Sequence, residues 1–170
     1  MTGGRALLAA AVLALGGAAG CGDDDGASID GAPPDAAPEP LFPADYASTY
    51  TQVRDCRNST SHDFHGIIIY ADPEAAPPYL ERDAPFPVGS VIVKEEYDIG
   101  DTECTGDIVQ WTAMKRLEEG SAPAAQLDWF WQKLDRTGAV VDQNDARCFG
   151  CHVDCDGSPP DSYFNTCAVP

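Results

Sequence analysis

The chain has 170 residues, with 28 acidic and 10 basic side chains and a formal net charge of −18. That length allows one folded domain with appendages, and so large a negative excess repels phosphate backbones and anionic headgroups, which argues against nucleic acid as a partner. Seven cysteines, 16 glycines and 14 prolines speak against a helical bundle and for short elements joined by turns in an oxidising compartment.

Residues 1–20 carry a single charge, Arg5, then the apolar run Ala6 to Leu15 and a small-residue stretch ending at Gly20. The run falls short of the roughly 20 apolar residues a spanning helix needs and reads as a secretory signal. Cys21 follows at once, at the acceptor position of a bacterial lipoprotein signal, although Ala18 stands where that motif prefers leucine. The expectation is a lipidated Cys21; the alternative is ordinary cleavage. Residues 21–42 are acidic and proline-rich with no basic residue, so they have little to bury and are expected to form an extended tether. Residues 43–170 are then one domain, exported to the periplasm or cell surface and touching a bacterial membrane only through the lipid.

Within the domain, Tyr46, Tyr50 and Val53 fall at helical spacing and predict a short helix over about 44–55. Four strands are predicted next: Phe64 to Ala71, Val88 to Asp98, Asp107 to Leu117 and Gln126 to Leu134. In the second, Val91, Val93 and Tyr97 share one face and Ile92, Lys94 and Glu96 the other. In the fourth, Leu127, Trp129 and Trp131 share a face. Turn residues separate the strands, among them Gly100–Asp101, Gly120–Ser121 and Thr137–Gly138. The fold class is α+β, an antiparallel meander with helices packed on one side and a C-terminal attachment segment. Phe64, Tyr70, Phe86, Tyr97, Trp111, Trp129, Trp131 and Phe149 supply most of the large apolar area. At His65-Gly66 the glycine allows close approach of the backbone to a porphyrin or to another chain.

Near the C-terminus, Cys148-Phe149-Gly150-Cys151-His152 is the Cys-x-x-Cys-His pattern of c-type haem attachment. Two thiols at this spacing reach the two vinyl groups of one porphyrin, and the adjacent histidine supplies an axial nitrogen to the iron. The alternatives are structural disulfides, or a zinc site for which a second Cys-x-x-Cys is missing. With Cys21 assigned to lipid and Cys148 and Cys151 to haem, Cys56, Cys104, Cys155 and Cys167 remain. Four cysteines allow three pairings. The expected one is Cys56–Cys104, tying the first helix to the loop between the second and third predicted strands, with Cys155–Cys167 closing a short loop beside the haem histidine. Met114 is mid-strand and reads as core. His62 and His65 are the other candidates for a sixth ligand, each more often a turn or strand-edge histidine. The balance favours a five-coordinate iron with an open distal face.

The stretch Pro85 to Ser90, the strand containing Lys94-Glu95-Glu96, the tryptophan-bearing strands after it and the late CFGCH together resemble the cytochrome P460 family, which includes the related β-type cytochromes c′. The resemblance covers roughly residues 44–164. It implies a single covalent haem c packed on an antiparallel sheet, with His152 on the iron and a distal pocket for nitric oxide, hydroxylamine or a similar small ligand. Lys94 stands at the position of the lysine that cross-linked members join to the porphyrin. Where catalytic members, which are oxidoreductases, place a carboxylate after the haem histidine, this chain has Asp154 and Asp156, then an insertion with Pro159 and Pro160. Asp154 is therefore the candidate distal base, with a solvated loop aspartate as the alternative. Relatives often form homodimers, which is analogy, and the redox partner is not indicated. A six-coordinate electron-transfer cytochrome and a disulfide-stapled secreted module without haem are the competing functions.

Overall fold

The computed structural model describes residues 37–156 and 163–168; the expected signal, Cys21, most of the acidic linker, Pro159 and Pro160 lie outside them. The described elements are helix α1 (Tyr46–Thr49), strands β1 (Thr51–Ser59) and β2 (His65–Ala71), helix α2 (Ala76–Glu81), strands β3 (Val91–Ile99), β4 (Ile108–Arg116), β5 (Trp129–Asp135) and β6 (Val140–Gln143), and helix α3 (Ala146–His152). The six strands form one sheet in the order of the chain, every neighbouring pair antiparallel. The expected meander is present, with all four predicted strands at β2 to β5.

Two-residue alternation gives the sheet two faces with different cores. On one, Ile67, Ile69 and Ala71 of β2 join Ile92, Met114, Trp129 and Trp131, and α2 covers them with Ala76 and Tyr79. Cys148 and Phe149 of α3 pack against the same cluster. On the other face Val91, Val93 and Ala113 pack with Tyr46. Trp129 and Trp131 share one environment, as their spacing requires, and their indole N–H groups donate to the carbonyls of Phe164 and Gln126 at 3.1 and 3.0 Å, so neither buried polar tip is left unpaired.

Several expectations are corrected. The helix over 44–55 ends at Thr49, and Thr51 onward is strand. Tyr46 and Val53 are both buried, but in the two different clusters, so their spacing is not that of one helix face. The helices do not share one side: α1 lies with the second cluster, α2 and α3 with the first. Phe64 is 60% exposed rather than core, because it lies in a turn with φ of 63°. The end of the tether is part of the fold: Leu41 and Phe42 pack on the second cluster. Gln132 of β5 holds this segment, accepting from the Leu41 N–H and donating to the Glu39 carbonyl at 2.9 Å each.

Both expected disulfides are formed. Cys155–Cys167 closes the C-terminal segment, and Cys56–Cys104 joins β1, rather than a helix, to the β3–β4 loop. That loop also explains Gly66. The close approach is to the Asp101 carbonyl, which a Cβ at residue 66 would strike, with the Cys104 sulfur behind it. Gly66→Ala is therefore expected to cost roughly 1–3 kcal/mol through overpacking, read as a lower urea midpoint at unchanged slope; an unaltered midpoint would contradict this packing.

Candidate functional site

Beyond the first cluster, the same sheet face opens into a cavity of about 660 Å³, a size ordinary for small-molecule and cofactor sites. Strand register writes its floor as three rows. Ile92, Met114 and Trp131 pair across β3 to β5 and make an apolar row. The next row outward is Ile69, Lys94, Thr112 and Lys133, and the third runs from Arg57 through Ile67 and Glu96 to Gln110. The floor thus passes from hydrocarbon to charge within about 14 Å, two steps of the side-chain repeat along the strands.

Helix α3 forms a wall. The Asp145 side chain caps it by accepting from the Arg147 N–H at 2.9 Å. A helical turn brings Cys148 and Cys151 to neighbouring positions; both line the cavity, and they are the free cysteines of the described residues. Burial, with Asp145 nearby, pushes the Cys148 thiol up. His152 also lines the cavity, with the Trp131 ring edge-on at 4.8 Å between centres. Its Nδ1–H donates to the Asn165 carbonyl, and the Asn165 side chain donates back to the His152 carbonyl at 3.1 Å. The Cys155–Cys167 bridge holds this partner in place, since the Asn165 N–H donates to the Cys155 carbonyl at 3.0 Å. A backbone carbonyl on Nδ1 fixes the tautomer and leaves the Nε2 lone pair for a metal. Burial and the Lys94 charge push His152 down to about 4, against the pull of the Asn165 carbonyl, so at neutral pH it is a neutral imidazole that carries its one proton on Nδ1.

Lys94 is in the cavity, on the face shared with Ile92, together with Cys148, Cys151 and His152. Its ammonium pairs with Glu96 at 2.9 Å, the two side chains being 12% and 3% exposed. Gln110 and Thr112 donate to the same carboxylate. Burial would raise Glu96, but the Lys94 charge and the Gln110 hydrogen bond outweigh it and hold the carboxyl below its ordinary value. Burial lowers Lys94 despite this partner.

The other candidates separate. His62, in the 3-10 turn Thr60–His62, lines the cavity, whereas His65 donates from Nδ1 to the Tyr97 carbonyl at 2.5 Å and is not part of the lining. Met114 is buried in the apolar row. Asp154 is exposed in the turn Val153–Cys155, outside the cavity lining. The buried carboxylate of the cavity is Glu96, and the signal for it was its place in the Ile92, Lys94, Glu96 alternation.

Two buried polar groups of the lining, Arg57 Nε and the Tyr79 hydroxyl, have no hydrogen-bond partner among the described residues. Leaving such groups unpaired is costly, and an anionic occupant would satisfy them. A haem fits this donor set: two thiols for its vinyl groups, an imidazole for its iron, an apolar row for its ring and a guanidinium for a carboxylate.

The family model described as Cytochrome P460 matches residues 43–158, most of the chain. No curated protein matches the sequence.

The buried pair generates a test. Glu96→Gln leaves the Lys94 ammonium without its counter-charge and is expected to cost roughly 3 kcal/mol. Adding Lys94→Met should recover much of that loss, measured as a double-mutant cycle by urea denaturation. Because the carboxyl is depressed in the folded protein, its contribution is full above its unfolded value of about 4.3. That contribution fades as pH falls through the lower folded value, and Glu96→Gln should flatten this acid limb.

Proposed function

Because the chain belongs to the cytochrome P460 family, we propose that it is a c-type haem protein holding one haem through Cys148 and Cys151. In this reading His152 is the proximal ligand and the opposite face receives nitric oxide, hydroxylamine or a similar small molecule. The observation that carries the reading is the meeting, in one cavity, of the two free thiols with a histidine whose Nδ1 is already anchored. Bound haem supplies a redox-active iron with an exchangeable coordination position.

The residues divide the work. Cys148 and Cys151 would hold the haem, each by adding S–H across a vinyl double bond, which makes a thioether without net oxidation. Asn165 orients His152 and raises its basicity through the Nδ1–H bond. Trp131 and Met114 exclude water from the inner part of the floor. Arg57 of β1 and the Tyr79 hydroxyl of α2 would bind a haem carboxylate. Glu96, held ionised by Lys94, would accept a hydrogen bond from a ligand N–H or O–H. It occupies the place in the cavity that the sequence offered to Asp154. The chain is exported and anchored through a lipid on Cys21, so this chemistry faces the periplasm or the cell exterior.

Cys148→Ala or Cys151→Ala should leave one thioether, seen as a shifted pyridine haemochrome band, and the double substitution should abolish haem that survives acid–acetone extraction. Survival of haem in the double variant would overturn the attachment. The ferrous wild type should change its Soret band on adding nitric oxide. For the anchor, Cys21→Ser is expected to move the protein from the membrane to the soluble fraction, and an unmodified N-terminus downstream of residue 21 by mass spectrometry would exclude lipidation.

A further inference from the structure

Two imidazoles face the cavity, and the second is not needed for attachment. His62 and His152 stand with ring centres 6.5 Å apart and ring planes inclined by 62°. Two imidazoles binding one metal at about 2 Å each, from opposite sides, have ring centres about 6–6.5 Å apart. Their other nitrogens are matched as well. His152 Nδ1 is bonded to the Asn165 carbonyl, and His62 Nδ1 lies 2.6 Å from the Ser59 hydroxyl. Neither Nε2 has a hydrogen-bond partner among the described residues.

The backbone supplies an independent observation. His62 is followed by Asp63 and Phe64, two successive non-glycine residues in the left-handed region, with φ of 53° and 63°, and the Phe64 ring is turned out to solvent. Side chains avoid that conformation unless their surroundings impose it. The same pairing of left-handed residues recurs at Leu127–Asp128 and Phe164–Asn165; at the β1–β2 turn it accompanies a His62 that lines the cavity and a Phe64 ring that does not. The competing donors are occupied: Lys94 by Glu96, and His65 by the Tyr97 carbonyl outside the lining.

We infer that His62 is the sixth, displaceable axial ligand of the haem iron, opposite His152, so that the resting protein is six-coordinate and an incoming small molecule must displace an imidazole. This rests on the haem reading above and replaces the open distal face expected from the sequence. His62 would then gate ligand entry, and Ser59, through Nδ1, would set its orientation.

The test is the spin state of the ferric, haem-loaded full-length protein, by electron paramagnetic resonance and visible absorption. The wild type is expected to be low-spin with a bis-imidazole signature, His62→Ala high-spin, and His62→Gly low-spin again once free imidazole is added. His62→Met, which keeps a donor in the turn, should be low-spin with a sulfur-to-iron charge-transfer band. A high-spin wild type with covalent haem would overturn the ligand assignment alone, as would a low-spin His62→Ala protein, which would point to another donor. A wild type without covalent haem would overturn the haem reading and this assignment with it.

Discussion

A lysine and a glutamate two residues apart, buried together on the face of a sheet, set the terms for the rest of this domain. Taking Lys94 and Glu96 out of water costs several kcal/mol per ion, and their attraction offsets this only with further hydrogen bonds, which Gln110 and Thr112 of the neighbouring strand provide. The arrangement needs β3 and β4 in one register: a slip by a single residue would send both charges to the opposite face. There the core is Val91, Val93, Ala113 and Tyr46, with its own buried carboxylate, Glu95, already accepting from the Tyr46 and Tyr97 hydroxyls. Each face of β3 thus carries one satisfied carboxylate, and the two sets of partners are not interchangeable.

Charge is distributed unevenly around that pair. The chain carries 28 acidic and 10 basic residues, yet four of the basic ones, Arg57, Lys94, Lys133 and Arg147, line the cavity. An acidic protein has therefore concentrated its cations where a carboxylate-bearing cofactor would lie. Three carboxylates, Asp63, Glu96 and Asp145, line the cavity as well, so its charges nearly balance within a chain that is strongly acidic as a whole.

Much of this was legible in the sequence, for identifiable reasons. Strands β2 to β5 are central, with clean apolar alternation, and Lys94 could be assigned to the side of Ile92 without a structure. The Cys-x-x-Cys-His pattern is local, and counting left few cysteines to pair. The edge strands escaped notice because nothing in them alternates: β1 has irregular register at Gln52, Arg54 and Arg57, and β6 is four mostly exposed residues. The partner of Gly66 was illegible because the Asp101 carbonyl is brought to it by tertiary folding alone. Asn165 behind His152 and Gln132 under the tether were invisible for the same reason. Each acts through one hydrogen bond across a long stretch of chain, and polar residues in loops carry no periodic signature.

The Cys155–Cys167 bridge has a consequence for how the protein is made. It starts four positions after Cys151 and closes over the loop that presents Asn165 to His152. On the haem reading, oxidation and haem attachment draw on thiols within one short stretch and make opposite demands on it. Cys155 and Cys167 must lose their hydrogens to an oxidant, while Cys148 and Cys151 must stay reduced until they meet a porphyrin. A disulfide between Cys148 and Cys151, or from either to Cys155, would be a dead end until some reductant reopened it. On that reading biogenesis depends on timing: a thiol-reducing step is needed as well as an oxidising one, and a host strong in the second but poor in the first would accumulate folded, colourless protein.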